Sequence, residues 1–427
     1  MMSSVVIQGG ESSLYHAILV GWVRPSGRNP TSIGLCGGGL RSGGAVCFKL
    51  ITIALIMILC EKSNRMLNAL YHYLDIRLSR FLKRPPRTLP IILLWITDRC
   101  NLRCRMCGDQ WRADQQMLRH SLSLVQIQGI VQAAVRLRTM IISITGGEPL
   151  LHPEIYQILD LIRDAGIAAH MCTNGTLLTD ERVAKLAQSS LKSVSISIDS
   201  STPWLHDQLR GMDGAFQQTV AGISRLRAAM PGLRINVNCT ISKINVGTIG
   251  ELVSLVKDLG CDKISFAPIH TNLQHKHKPK DQFDGMVFRS DELGELQGAL
   301  AEVSMQARKL RIGISSSRFL QGIPRSYVEP MRWHTCYAGY ASCAISPWGE
   351  VSPCVDMDSV LNVWNAPLDK IWLSPEFQVL REKVDSCSNP CWDTTNTEIA
   401  IRFSFVGILS EVKSIIQDLT HYNRRKK

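Results

Sequence analysis

Three cysteines stand on one short segment of this chain, at Cys100, Cys104 and Cys107, in a C-x3-C-x2-C spacing. The segment follows an apolar run, Ile91 to Ile96, which predicts a buried strand. Three thiolates on one loop can hold three corners of a cubane iron–sulfur cluster, which leaves the fourth iron without a protein ligand. Such an iron can bind a substrate or cofactor, whereas a fully ligated cluster can only relay electrons.

Two other interpretations of the loop have to be weighed. A zinc site usually takes four ligands from two closely spaced pairs, and this loop offers three thiols. Disulfides are not expected in a chain with scattered single cysteines and no secretory signal. The spacing by itself also leaves a chance grouping open, so the rest of the chain has to decide.

A second motif follows the next predicted strand. The run that starts at Ile141 ends in Gly146, Gly147, Glu148 and Pro149. Glycines allow a backbone to come close to a ligand, and a glutamate supplies an acceptor for an ammonium group. Taken alone, such a segment is typical of an ordinary turn, and only its order after the cysteine loop favours a binding role.

Polar residues also stand on or after three later predicted strands. The first of these strands closes on Asn174, the second carries Ser197 and Asp199, and the third carries Asn238, while Arg210 follows the second. Each has a structural alternative: a Ser-Ile-Asp strand end can form a helix cap or a loop bond. Asn238 could satisfy a hydrogen bond inside a barrel, and Arg210 could form a surface ion pair.

The order of these segments resembles that of the radical S-adenosylmethionine (SAM) enzymes, over roughly residues 91–392. The resemblance implies a 4Fe–4S cluster on Cys100, Cys104 and Cys107, with SAM as the ligand of the open iron. It also implies that the cofactor is contacted by Met106, Gly146, Gly147, Glu148, Asn174, Ser197, Asp199, Arg210 and Asn238.

The family pattern gives several of these residues a particular expected role. Glu148 is expected to meet the amino group of SAM, Ser197 and Asp199 its ribose, and Arg210 its carboxylate. The chain departs from the pattern at Met106, where the family usually has an aromatic residue that stacks toward the adenine. Methionine is apolar and adaptable, so we expect the contact to be kept.

A second cysteine set lies far downstream, at Cys336, Cys354, Cys387 and Cys391. Its pattern, C-x12-G-x4-C followed by a close cysteine pair, resembles the auxiliary-cluster extension called SPASM in its shortened form, often termed twitch. The resemblance implies a second 4Fe–4S cluster, with all four irons ligated, that would shuttle electrons or hold the small domain together. No cysteine follows Cys391, so we expect one auxiliary cluster, and a structural zinc site is the alternative.

The architecture expected is α/β. From Ile91 onward, apolar strands alternate with segments of helical spacing, which indicates a parallel sheet. Six such units match the partial (β/α)6 barrel of the radical SAM family, followed by a small C-terminal cysteine-rich cluster-binding extension. Ligands in such sheets bind at the carboxyl ends of the strands, which is where the motifs fall.

The chain divides into six expected segments. They are a disordered or non-native extension with a short apolar segment (1–65), an N-terminal helix and linker (66–90), the barrel (91–270), a connecting segment near the substrate (271–330), the SPASM/twitch domain (331–395), and a C-terminal helix with a basic tail (396–427).

The net charge of +12 is concentrated at the ends of the chain. Residues 1–90 carry eleven Lys or Arg against three acids, without the interleaved aromatics of a nucleic-acid-binding surface. The apolar run 45–60 is shorter than the roughly 20 residues that a membrane span needs. Asn68 to Leu82 has helical spacing with basic neighbours. We expect it to pack against the barrel, and a membrane surface is the alternative.

The function implied by the resemblance is reductive cleavage of SAM to a 5′-deoxyadenosyl radical that abstracts hydrogen from a substrate. Our first hypothesis is the maturation of a peptide or protein. The alternative is an oxidoreductase or rearranging enzyme acting on a small molecule such as a sugar or cofactor precursor. A flavodoxin or ferredoxin is the expected electron donor. Fourteen cysteines without a secretory signal favour the cytoplasm.

Overall fold

The computed structural model describes residues 64–107, 120–270, 283–404, 407 and 421–422. The expectations for residues 1–63 and for the first part of the connecting segment, 271–282, lie outside these residues. In the described part of the chain, no helix is long and apolar enough to cross a membrane.

One nine-stranded sheet organises the described residues, in the order β7-β6-β5-β4-β3-β2-β1-β8-β9. Strands β1 to β8 pair in parallel, and β9 pairs antiparallel with β8. The strands are β1 (Ile91–Thr97), β2 (Ile141–Gly146), β3 (Ala168–Thr173), β4 (Leu191–Ser197), β5 (Arg234–Ile241), β6 (Lys263–Pro268), β7 (Gly313–Ile314), β8 (Ser342–Ile345) and β9 (Val351–Ser352).

Helices connect the strands and cover the sheet. They are α1 (Asn64–Phe81), α2 (Leu124–Arg136), α3 (Ile155–Asp164), α4 (Asp180–Gln188), α5 (Pro203–Arg210), α6 (Ala215–Ala229), α7 (Ile249–Asp258), α8 (Leu293–Leu310), α9 (Ser317–Ser326), α10 (Leu368–Leu373), α11 (Pro375–Ser386) and α12 (Asn396–Phe403). The parallel α/β barrel expected from the alternating pattern is confirmed.

Local sequence explains why these elements form where they do. The residues of β1 are almost all apolar, as in parallel strands that are covered on both faces. β5 instead alternates, with Ile235, Val237 and Cys239 buried and the residues between them half-buried. Helix α2 begins with a capping box, in which Ser123 and Gln126 bond each other's backbone N–H groups.

Part of the segment expected to connect the two domains is folded onto the barrel. β7 extends the sheet by pairing with β6, through Lys263 with Gly313 and Ile264 with Ile314. Helix α8 buries Leu296, Leu300 and Val303 in the main hydrophobic core. The barrel sheet therefore continues beyond the six expected units.

The cysteine-rich extension is joined to the barrel by backbone pairing. β8 lies in parallel beside β1, with Ile91 opposite Ser342 and Leu94 opposite Ile345. Trp392 completes the joint, because its indole N–H donates to the Phe319 carbonyl oxygen at 2.8 Å and its ring stacks on that of Phe319. The strand that leads to the first cysteine loop is thus paired with β8, which lies between Cys336 and Cys354 of the second set.

The contact between Trp392 and α9 can be tested with two glycines, each of which lies inside a helix. A Cβ on Gly322 in α9 would overlap the ring of Trp392, whereas a Cβ on Gly298 in α8 would meet nothing within 4 Å. We expect Gly322→Ala to lower the free energy of unfolding by about 1–3 kcal/mol through overpacking. The matched Gly298→Ala should raise it by roughly 0.5–1 kcal/mol, because alanine is the better helix former.

Denaturant unfolding of both variants beside the wild type, purified without oxygen, measures the two effects. Equal stabilities of the two variants would contradict this account of the joint.

Candidate active site

The first cysteine loop starts where β1 ends, and its backbone is fixed at two places. The N–H groups of Arg103 and Arg105 donate to the carbonyl oxygens of Arg210 and Leu209, at 3.2 and 2.9 Å. The loop is therefore bonded to the C-terminal turn of α5. Its three thiols are only partly covered, so they remain open to a ligand.

Within the loop, backbone N–H groups support the sulfur atoms and the turn between them. The N–H of Leu102 donates to Cys100 Sγ at 3.4 Å, and the N–H of Cys107 donates to the Cys104 carbonyl oxygen at 3.0 Å. Hydrogen bonds to sulfur are one of the means by which proteins tune a bound iron–sulfur cluster. The loop thus presents three thiols on a backbone that is already folded.

The glycine pair after β2 brings this strand end against the cysteine loop. The N–H of Gly147 donates to the Thr97 carbonyl oxygen at 2.8 Å, and that of Glu148 to the Arg99 carbonyl oxygen at 2.7 Å. A Cβ on Gly146 or Gly147 would overlap those same carbonyl oxygens. The close approach that glycine allows here is to the loop itself, which the sequence motif alone did not indicate.

Glu148 is fully buried and accepts three hydrogen bonds from the chain. They come from the N–H groups of Leu150 (3.0 Å) and Asn174 (2.8 Å) and from the hydroxyl of Thr173 (2.8 Å). Burial raises the pKa of the carboxyl, and these donors oppose that rise. The carboxylate therefore joins the ends of β2 and β3. Contact with SAM stays a prediction for Glu148.

Asn174 connects this region to the cysteine loop. Its side-chain amide donates to Asn101 Oδ1 at 2.9 Å, and Asn101 in turn donates to the Thr176 hydroxyl at 2.9 Å. Asn101 lies between the first two cysteines and was not among the expected site residues. Its position inside the C-x3-C spacing was the available signal, but the spacing says nothing about which way the side chain points.

A buried ion pair lies beneath the loop. Arg210 Nε is 2.6 Å from Asp199 Oδ2, and Arg210 Nη1 lies 3.8 Å from Cys104 Sγ. Asp199 is fully buried, and its other oxygen accepts the N–H of Thr240 at 2.9 Å. The guanidinium thus joins the ends of β4 and β5 to a cluster-loop thiol. The ribose and carboxylate roles remain predictions for these two residues.

His206 holds Asp199 from the other side. Its Nδ1 accepts the backbone N–H of Asp199 at 3.2 Å, so this nitrogen is unprotonated. Burial lowers the pKa of His206 to about 4. Sequence inspection missed this residue, because nothing in a His-Asp-Gln-Leu-Arg segment shows that the ring turns back to the strand end.

The remaining expected cofactor residues line the same side of the barrel. Ser197 and Asn238 are register partners on β4 and β5, and both are half-buried. Met106 packs at the edge of a small apolar cluster that includes Leu209 and Ile269. The structure therefore brings these residues to the carboxyl ends of the strands, as expected for a ligand site in a parallel barrel.

The second cysteine set lines a single cavity of about 260 Å³. Cys336, Cys354, Cys387 and Cys391 lie on one side, and the barrel strands form the other side with Leu93, Trp95, Ser143, Thr145 and Cys172. The N–H of Ala338 donates to Cys336 Sγ at 3.4 Å. The cavity thus lies between the cluster-binding extension and the interior of the barrel.

Four thiols of this cavity form the donor set of the expected auxiliary cluster. Burial raises the pKa of the thiols of Cys336, Cys354 and Cys391, so metal binding there must displace protons. Four thiolates can ligate all four irons of a cubane cluster.

A His–Asp pair faces the same cavity. His270 Nε2, just after β6, lies 3.0 Å from Asp356 Oδ2, two residues after Cys354. The pair therefore links the barrel to the cysteine-rich extension inside the cavity. Neither residue was singled out from the sequence, since they are more than eighty positions apart and belong to no common motif.

Taken together, the parallel barrel and its two cysteine sets are typical of a protein that binds iron–sulfur clusters. Comparison with known families gives the same result. A model described as "Radical SAM superfamily" matches residues 95–256, and one described as "Iron-sulfur cluster-binding domain" (SPASM) matches residues 336–393. The chain therefore carries a radical SAM domain followed by a SPASM domain. The cofactors of the radical SAM domain are SAM and a 4Fe–4S cluster, and those of the SPASM domain are auxiliary iron–sulfur clusters.

Individual relatives differ in the reactions that their names describe. An AdoMet-dependent heme synthase of Methanosarcina barkeri is 28% identical over 69% of this chain and 85% of its own length. A PqqA peptide cyclase of Gluconobacter oxydans is 24% identical over 73% and 83%. Among solved structures, Streptococcus suis SuiB bound to SAM superposes with a TM-score of 0.57 at 16% identity, over 79% of this chain and 80% of that one.

The two cysteine sets can be told apart by iron content. With both 4Fe–4S clusters bound, the wild type should hold about eight irons per chain after anaerobic reconstitution. Replacing Cys100, Cys104 and Cys107 by Ala should leave about four and abolish the formation of 5′-deoxyadenosine from SAM. Replacing Cys387 and Cys391 by Ala should also leave about four, yet keep SAM cleavage.

Cys261→Ala serves as the control, since this buried cysteine lies apart from both sets and should leave the iron content unchanged. A wild type that binds only four irons per chain would contradict the presence of an auxiliary cluster. Continued SAM cleavage by the triple variant would contradict the assignment of the first loop.

The buried neutral state of His206 predicts a pH dependence of stability. The unfolded chain takes up a proton below about pH 6.5, whereas the folded ring does so only near pH 4. Stability is therefore fully present above pH 6.5 and is lost as the pH falls toward 4. His206→Asn keeps an acceptor for the Asp199 N–H and does not titrate. Between pH 7 and 5 it should lose about 1–2 kcal/mol less free energy of unfolding than the wild type.

His206→Ala is the contrast, because it also does not titrate but leaves the Asp199 N–H without this acceptor. It should be less stable than His206→Asn at every pH. If the free energy of unfolding of His206→Asn changed with pH as steeply as that of the wild type, the histidine would have to be charged or exposed in the folded protein.

Proposed function

We propose that this radical SAM enzyme modifies a side chain of a peptide or protein. The observation that carries the proposal is the cavity between the barrel strands and the auxiliary cysteines. An auxiliary cluster on those four thiols would take part of its volume of about 260 Å³. The space that remains suits one side chain presented from a backbone outside.

The charges of the cavity favour the same choice. The basic side chains among the described lining residues are His270 and Arg332. His270 pairs with Asp356, and Arg332 donates to the carbonyl oxygen of Val384 at 2.9 Å. A substrate with several carboxylates needs cations that are available to it, because buried charges have to be paired. A near-neutral peptide side chain makes no such demand.

Relatives support the peptide hypothesis. A PqqA peptide cyclase matches most of this chain, and the solved structures with the same fold include SuiB bound to its precursor peptide SuiA. Those structures are alike in fold only, at 17% identity. The support they give is therefore that a protein of this fold can bind a peptide.

In the proposed reaction the chain positions its ligands and shields them. When bound, the cluster and SAM supply a 5′-deoxyadenosyl radical, which can take a hydrogen atom from an unactivated C–H bond. The backbone bonds of the glycine pair hold the cysteine loop in place, and Arg210 brings a positive charge beside Cys104. Apolar residues such as Trp95 limit water in the cavity, so that a reactive species is not lost to solvent.

The second candidate is a reaction on a small molecule, specifically a tetrapyrrole. Three AdoMet-dependent heme synthases are 25–28% identical to this chain and cover 67–71% of it. This candidate requires cationic groups for the carboxylates of the substrate. In the described part of the cavity, Arg332 and His270 would have to leave their present partners to bind those carboxylates.

One experiment separates the two candidates. The reconstituted enzyme is incubated without oxygen with SAM, dithionite and either peptides encoded beside its gene or tetrapyrrole precursors of heme. We expect a change in peptide mass and transfer of deuterium from the labelled peptide into 5′-deoxyadenosine. The Cys100, Cys104, Cys107→Ala variant is the control and should give neither. Deuterium transfer from the tetrapyrrole alone would overturn the proposal in favour of the second candidate.

A further inference from the structure

Helix α1 has two faces, and the apolar one points outward. On the inward side His72, Asp75, Ile76 and Ser79 are buried. The outward side carries the large residues Tyr71, Leu74, Leu78, Phe81 and Leu82, which are 38–81% exposed. Their spacing of three and four residues forms a continuous stripe along the helix. A surface helix that has no further partner shows the opposite arrangement, with its apolar side packed against the protein core.

The helix cannot turn this outward stripe inward, because polar contacts fix its rotation. Asp75 accepts the backbone N–H and the hydroxyl of Thr88, both at 3.0 Å. Arg77 donates to the hydroxyl of Tyr337 at 2.6 Å, and Arg80 pairs with Asp385 at 2.6 Å. These bonds join the inward side of α1 to the segment that precedes β1 and to the cysteine-rich domain. The exposure of the stripe is therefore a property of the folded protein.

The chain segment that carries the outward stripe is basic. Residues 64–97 contain six Lys or Arg and a single acid, Asp75, which is buried. Lys83 and Arg87 are exposed just beyond the C-terminal end of the stripe. At the other end the guanidinium of Arg138 lies over the ring of Tyr71, 5.0 Å from its centroid. An apolar stripe with cations at both ends is complementary to a partner with an apolar interior and anionic groups at its surface.

That combination distinguishes between possible occupants. A second copy of the chain, docked through the same stripe about a two-fold axis, would bring like charges together. A lipid bilayer with anionic headgroups offers hydrocarbon to the stripe and phosphate to the flanking cations.

We propose that the outward stripe of α1 docks this enzyme on an anionic lipid surface. The aromatic and aliphatic side chains would enter the boundary between headgroups and acyl chains, with Lys83, Arg87 and Arg138 at headgroup level. Binding would require both components, the apolar stripe and the anionic charge of the membrane.

Co-sedimentation of the full-length, reconstituted protein with vesicles tests the proposal. The vesicles are phosphatidylcholine alone, or phosphatidylcholine with about 30% phosphatidylglycerol. We expect the wild type to bind the anionic vesicles, with binding lost in about 0.5 M salt and weak on the neutral ones. Leu74→Glu combined with Leu78→Glu should lower the partition coefficient roughly tenfold or more.

The matched control carries two glutamates at exposed apolar positions on other helices, Val125→Glu with Met305→Glu. It should bind as the wild type does, and unchanged iron content would show that both variants fold. Three results would overturn the proposal. They are a wild type that stays in the supernatant, stripe and control variants that bind equally well, and a vesicle-free dimer that only the stripe variant dissociates. The last result would assign the stripe to a second copy of the chain.

Discussion

The site depends on a backbone contact between two strand ends. The cysteine loop after β1 accepts hydrogen bonds from the backbone after β2, through the carbonyl oxygens of Thr97 and Arg99. Neither Gly146 nor Gly147 leaves room there for a side chain. The loop is therefore held by main-chain groups, which are stiffer than side-chain contacts. An open-iron cluster needs this support, because three thiolates have to keep their places while the fourth position exchanges its ligand.

Beneath that contact, a chain of polar groups connects the loop to the strands that face the cofactor side. Asp199 is reached by His206, Arg210 and the backbone of Thr240, and Arg210 continues to Cys104. A carboxylate with no exposed surface would be costly to bury alone, and the guanidinium compensates its charge. The arrangement is typical of a supporting layer that orients groups in direct contact with a ligand.

The parts of this architecture that sequence could predict are those encoded by local pattern. Apolar runs located β1 to β6, and the cysteine spacing singled out the two cysteine sets, because each signal lies within a few residues. The partners of those residues could not be predicted in the same way. That Asn101 meets Asn174, that His206 turns back to Asp199, and that His270 meets Asp356 all depend on how distant strands are brought together. Helix α1 illustrates the same limit, since its period predicts a helix and its outward apolar face follows only from which side the polar contacts hold.

The parallel pairing of β8 with β1 has a consequence for how the molecule responds to damage. A single sheet runs from the barrel into the cysteine-rich extension, so the two regions share hydrogen bonds as well as side-chain contacts. Elements joined in this way tend to melt in one cooperative transition. The barrel and the extension should therefore lose their fold together on heating, and proteolysis should not release either of them as an intact fragment.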